Sequence, residues 1–140
     1  MTEAQRKKFF EMRKALDGFV EKIVDNVAEV NQYTAAIRKW KPGVFAVGDV
    51  RQHIDIPYKC LQAHDSTENT NWTPDTTPAL WMQYHGTTKE TARPWIAPTG
   101  AHDMYKAGEY MIWTDGTVRK AKMDTAYSPT EYAQAWEVVE

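Results

Sequence analysis

Apolar residues recur every seven positions through the first forty. Phe9, Leu16, Ile23, Val30 and Ile37 form one series; Met12, Phe19, Asn26, Tyr33 and Trp40 form a second, three residues on. Side chains filling the a and d positions of a heptad give a helix one apolar face, and the pattern matches a coiled-coil seam. Only the polar Asn26 breaks it. Val20, Val24 and Val27 widen the stripe, and Pro42-Gly43 ends it. One helix over residues 3–40 would run roughly 50 Å at 1.5 Å per residue, more than small neighbouring modules can cover. Two arrangements follow. In one, a long helix assembles with copies of itself, a trimer being favoured, through Phe9, Met12, Leu16, Phe19, Ile23 and Val30. In the other, two shorter helices turn at Asp25-Asn26, with Gly18 a further weak point. A stripe that simply faces the chain's own core is the plainest reading of the same pattern.

From Val44 the pattern shortens to that of strands. Val44 to Val50 reads as a strand containing a Gly48-Asp49 turn. Arg51 to Ile54 continues it, Asp55-Ile56-Pro57 turns, and Tyr58 to Ala63 pairs back as a hairpin. Residues 64–78 are polar and loop-like, and Ala79 to Met82 closes the unit. Further on, Met104 to Trp113 reads as a turn and strand. Asp115-Gly116 is a two-residue hairpin signal. Thr117 to Lys122 returns, and Ala135 to Val139 closes again.

The two β segments are related. Trp40, Pro74 and Trp81 each have a counterpart 55 residues on, at Trp95, Pro129 and Trp136, while Gly48 and Gly108 are 60 apart. That is an internal duplication of a small aromatic-rich unit, with about five residues inserted and later removed. The expected fold class is α+β. An N-terminal helical segment over 1–40, with a coiled coil among its options, precedes two small antiparallel β modules of about three strands each. The modules cover 41–84 and 95–140, with a linker at 85–94.

Composition narrows the function. Of 140 residues, 17 are Lys or Arg and 19 Asp or Glu, a net charge of −2, so no overall pull draws the chain to nucleic acid or an anionic membrane. Arg6-Lys7-Lys8 reads as the solvated start of a helix. Cys60 stands alone, which excludes a disulfide framework and a paired-Cys zinc site. The Met1-Thr2-Glu3 start lacks an apolar leader, so the expectation is synthesis in a host cytoplasm without a signal peptide. No apolar run approaches a membrane span. His53, His64, His85 and His102 show no paired spacing, so no metal and no cofactor is expected. Asp103 and Asp115 resemble a glycosidase pair only in composition, both being turn residues. Phosphate loops, nucleophile elbows and dinucleotide fingerprints are missing, and the chain is read as not an enzyme.

Several motifs in order resemble a known family. Trp40-Lys41-Pro42-Gly43, Ala46-Val47-Gly48-Asp49, Tyr58-Lys59-Cys60-Leu61-Gln62-Ala63-His64, Ser66, Trp72-Thr73-Pro74 and Pro78-Ala79-Leu80-Trp81 resemble the chitin-binding carbohydrate-binding modules of families five and twelve. They are similar in particular to the version in bacteriophage and prophage structural proteins, where it commonly follows a short helical segment. Pro94-Trp95, Pro98 to Asp103, Tyr105 and Gly108 resemble the second module that often follows there. The second unit departs from the pattern in Gly108-Glu109, in Tyr127-Ser128-Pro129 and in lacking a counterpart of the His64 and Ser66 pair. The resemblance implies a three-stranded, non-catalytic unit whose ligand is an amino-sugar polymer or a related surface glycan.

A pyranose offers a flat face of C–H groups and a rim of hydroxyls, so indole and phenol rings suit the face and polar groups the rim. Trp72, in a polar loop, is the first candidate platform, with Tyr58 and Trp113 behind it. His64 with Ser66 either ties down the loop or bonds a ligand hydroxyl. Trp40, Trp81, Trp95 and Trp136 sit at the ends of the two units and are expected to be core, because units this small lack an aliphatic core. The expected protein is a virion component, anchored or oligomerised by its helix, with glycan and other capsid or tail proteins as partners. Two rivals stand beside it. One is a purely architectural capsid decoration, head fibre, tail or baseplate protein. The other is the targeting module of a lytic or chitin-degrading enzyme.

Overall fold

The computed structural model describes residues 1–140. They divide into two compact units, Met1–Met82 and Gln83–Glu140, each with its own aromatic cluster. The class is α+β: helices first, then small, mainly antiparallel sheets.

Helix α1 spans Glu3–Ile23. Thr2 caps it: the Thr2 hydroxyl accepts the Gln5 N–H, and the Gln5 side chain accepts the Thr2 N–H, a reciprocal capping box. Helix α2 covers Val27–Gln32, and its cap is Asn26, whose side-chain oxygen accepts the Glu29 N–H. The one polar residue in the heptad series is therefore a helix start. Of the two arrangements, the pair of helices with a turn at Asp25-Asn26 is the one observed. A 3-10 turn at Thr34–Ala36 follows. Asp17 clamps the fold-back, paired with Arg13 at 2.9 Å and Arg38 at 2.8 Å, and Arg13 also donates to the Ala36 carbonyl.

This fold-back corrects part of the assembly seam. Ile23 and Val30 are 4% and 0% exposed inside their own chain and are not free to meet another copy. Phe9, Met12, Leu16 and Phe19 remain exposed, Phe9 at 60%. The stripe thus serves the chain's own core at its C-terminal end and faces outward at its N-terminal end.

In the first unit, β1 (Val44–Phe45) pairs antiparallel with β4 (His64–Asp65), and β2 (Val50–His53), β3 (Ile56–Cys60) and β5 (Trp81–Gln83) form a sheet in the order β2-β3-β5. Gly48 takes φ 94° in the turn before β2, where the Asp49 carboxylate accepts the Ala46 N–H at 2.9 Å. The β2–β3 hairpin turns on Ile54 and Asp55, with φ 52° and 61°, rather than on Asp55-Ile56-Pro57; Pro57 lies in β3 opposite Gln52. Two consecutive positive φ values give the two-residue turn whose twist matches its strands. Gln52 ties sheet to helices, its amide donating to the Thr34 and Ile37 carbonyls. Phe45, Tyr58, Cys60 and Trp81 form the core, with Trp40, Ile56 and Leu80 against it.

The second unit is a four-stranded sheet in chain order: β6 (Arg93–Pro94), β7 (Tyr110–Ile112), β8 (Val118–Ala121) and β9 (Trp136–Val139). β6 runs parallel to β7 and the other pairs are antiparallel, one strand more than the pattern suggested. Residues 85–94, read as a linker, are built into this unit. Gly86 bridges Tyr110, and a Cβ there would lie 2.4 Å from the Thr91 carbonyl oxygen. The β7–β8 loop has three residues, Thr114 to Gly116: the Trp113 N–H donates to Thr117 O and the Gly116 N–H to Trp113 O. Tyr105, Met111, Ala121, Ala135 and Trp136 form the core, with Trp95 and Trp113 packed on it.

Backbone bonds recur from unit to unit. Gly48 N–H donates to Cys60 O at 2.9 Å and Gly108 N–H to Ala121 O at 2.8 Å; Leu61 N–H to Leu80 O and Lys122 N–H to Ala135 O are both 2.7 Å. Trp40 N–H donates to Gln52 O, as Trp95 N–H does to Ile112 O.

Candidate functional site

Trp72 is 37% exposed and stands on a firmly held loop. Its own N–H donates to Asn69 O at 3.1 Å. One residue on, the Thr73 carbonyl accepts the Thr77 hydroxyl at 2.7 Å, and Pro74 beyond it is fully buried. Asp75 lies 3.4 Å from the His53 ring nitrogen. The backbone is thus pinned on both sides of an indole that remains open to solvent. Such a mount presents a flat apolar face at little entropic cost when a partner stacks on it.

The other candidates are less open. Tyr58 is 4% exposed within the Phe45–Trp81 core and has no free ring face, so it is corrected from platform to core. Residue 58 alternates inward along β3, and a unit this small fills its interior with aromatics. Ser66 is fully buried; its hydroxyl donates to Gly43 O and accepts the Gly43 N–H, both at 3.1 Å. It ties the long loop to the start of the unit. His64 packs edge-on to Trp81, ring centres 5.6 Å apart, with Nδ1 2.6 Å from Gln62 O. Trp113 is half-buried, T-shaped against Trp95 at 5.9 Å. Trp81 and Trp136 are buried, while Trp40 and Trp95 are half-buried against their cores.

Tyr127 was not among the candidates, yet it is 59% exposed. The signal was present: Tyr127 follows Trp72 by 55 residues, the spacing of Trp81 and Trp136. Its change from Trp to Tyr hid it.

Acid–base chemistry has no foothold at the two aspartates. Burial pushes the Asp103 carboxyl up, but hydrogen bonds from Thr99 and Gly100 outweigh it and hold the group below the usual carboxylate range. The Thr117 hydroxyl and N–H, with Arg119, do the same to Asp115. A glycosidase acid needs a raised pKa, the opposite of both. No group of three or more His, Cys, Asp or Glu side chains converges to hold a metal, and no helix is long and apolar enough to cross a membrane. Two clefts in the first unit, about 280 and 470 Å³, are lined mainly by charged residues including Asp17, Glu21, Arg38 and Arg51; Trp72 lines neither.

Residues 39–82 match the model of carbohydrate-binding module family 5/12. The matched segment contains Trp40, the Gly48-Asp49 turn, Tyr58, Ser66, Trp72 and Trp81, the whole β part of the first unit. No curated protein matches the chain. Among solved structures, a family GH18 chitinase from Chromobacterium violaceum is similar at 29% identity over 44% of this chain and 16% of that one, with a TM-score of 0.32. The alignment therefore spans about a sixth of the chitinase's length.

Proposed function

We propose that the chain is a non-catalytic glycan-binding protein of a bacteriophage virion, with chitin-like amino-sugar polymers as its ligand class. The observation that carries this reading is the family match over residues 39–82, because a carbohydrate-binding module is a non-catalytic domain type. The open indole of Trp72 on a pinned loop supports it. The repeated spacing and backbone bonds support reading the second unit as a diverged second module. The virion assignment rests on the resemblance of the motif series to phage structural proteins. The outward stripe of α1 fits an anchor, covered either by copies of the chain or by other virion proteins. The architectural rival draws on the burial of Tyr58 and Ser66, which reduces the polar and aromatic groups the first unit can offer a sugar.

Retention of the full chain on chitin beads separates the two. One ring contact is worth about 0.5–1.5 kcal/mol, so Trp72→Ala is expected to weaken retention roughly two- to tenfold. Wild type and variant both passing unretained over chitin and over a panel of bacterial polysaccharides would leave the architectural role.

A further inference from the structure

We infer that Tyr127 is a second sugar-stacking platform, the counterpart in the second unit of Trp72 in the first. The inference rests on the glycan-binding reading above and extends it to a part of the chain that the family match does not reach.

Three observations carry it. The segments 72–81 and 127–136 correspond residue for residue. Trp72-Thr73-Pro74 aligns with Tyr127-Ser128-Pro129, and Trp81 with Trp136, at one constant offset of 55. The bonds follow that register: Leu80 N–H donates to Thr77 O, and Ala135 N–H to Tyr132 O. In both segments the middle residue's carbonyl anchors the next turn, Thr73 O accepting the Thr77 hydroxyl and Ser128 O the Tyr132 N–H. In both, the proline is buried while the aromatic two residues before it is exposed.

The mount of Tyr127 is also rigid. Its N–H donates to the Thr125 hydroxyl at 3.0 Å, and its carbonyl accepts the indole N–H of the core residue Trp136 at 2.9 Å. Ser128 and Glu131 close a capping box immediately after it, each side chain accepting the other's N–H at 3.1 Å. Both peptide groups flanking the ring are therefore fixed to the fold, while 59% of the residue faces solvent. A bulky ring on an immobile backbone loses little freedom on binding, which is what weak stacking recognition requires. Replacement of Trp by Tyr keeps a flat π face and adds a hydroxyl that can meet a sugar rim. Trp113, the aromatic that the sequence favoured in this unit, is instead engaged with Trp95.

The test is an NMR titration of the full chain with N,N′,N″-triacetylchitotriose, following the ring signals of Trp72 and Tyr127 separately. Both are expected to shift and saturate. Trp72→Ala should leave the Tyr127 titration in place, and Tyr127→Ala the Trp72 titration. On chitin beads, Tyr127→Ala should cost roughly two- to tenfold in retention, with Tyr127→Phe restoring most of it and Tyr127→Leu restoring little. Tyr127 signals that stay fixed while those of Trp72 move would overturn this inference and leave the first-unit reading intact. Silence of both rings, with no retention on chitin, would overturn the two together.

Discussion

Tyr105 shows how one buried residue contributes an alkaline decline to the stability of its unit. Its ring stacks on His85 at 3.7 Å and on Trp95 at 5.1 Å, and it is 1% exposed. Burial pushes the phenol up to about 12, against a hydrogen bond from the Ile96 N–H, with Glu109 and Asp103 adding to the rise. The folded pKa thus exceeds the unfolded value of 10. Its contribution to stability is intact below about pH 10 and is lost as pH climbs toward 12, about 2–3 kcal/mol in all. Denaturant unfolding between pH 8 and pH 12 should therefore show an alkaline decline that Tyr105→Phe flattens; an unchanged decline would place its origin elsewhere. At this scale the sequence was partly readable. Of the four repeat-end tryptophans, Trp81 and Trp136 lie in the two cores and Trp40 and Trp95 pack against them. The inward face of Tyr58 has no local signature, because a strand tyrosine reads the same whether it faces in or out. Tyr127 is masked in the repeat because the aromatic changes type while its position does not.

At the scale of elements, the heptads were legible and their use was not. A seven-residue period marks a stripe but does not say what covers it. The local chemistry of Asn26, an oxygen able to cap the Glu29 N–H, decided for a break. The hairpin turn lies one residue before the Asp55-Ile56-Pro57 signal because Ile54 holds φ 52° without the Asn or Gly that normally announces such a turn. Strand β6 is two residues long and pairs with a strand distant in sequence, so no local pattern marks it. What the break leaves is an exposed seam over Phe9, Met12 and Leu16, ending at Phe19, whose ring packs edge-on to Tyr33 at 5.0 Å. Within α1 its flanking e and g positions hold Arg6, Lys8, Arg13 and Lys22 and no acid. In parallel helices Lys8 would face Arg13 of the next copy, whose charge is offset only in part because Arg13 and Arg38 share the single Asp17 carboxylate, so self-assembly works against like charges. Assembly through α1 should accordingly be weak at low salt and stronger at about 0.5 M, where screening is short-ranged. Sedimentation velocity can read this directly. Phe9→Glu combined with Met12→Glu should hold the chain monomeric at both salts with its helical circular dichroism unchanged. Wild type monomeric at every salt would reserve the stripe for a different partner protein.

At the scale of the whole molecule, the two proposed activities depend on different forces and are therefore separable. Stacking on a neutral amino sugar displaces water from ring and C–H faces and involves no net charge. The chain carries only −2 overall, so long-range attraction adds little. Affinity for a short chito-oligosaccharide should then be flat from about 0.05 to 0.5 M salt. Assembly through the basic-flanked stripe should rise over the same range. Retention on a polymer depends on both, because linking weak sites multiplies their effective concentration. Retention on chitin beads is thus expected to increase with salt while oligosaccharide affinity does not. The Phe9→Glu, Met12→Glu chain should bind the oligosaccharide normally and lose the salt-dependent gain on beads. Trp72→Ala should weaken both readouts at every salt. An oligosaccharide affinity that falls as salt rises would mean the ligand is held by charge, and would move the site from the indole platform to the first-unit cleft lined by Arg13, Arg38, Lys39, Lys41 and Arg51.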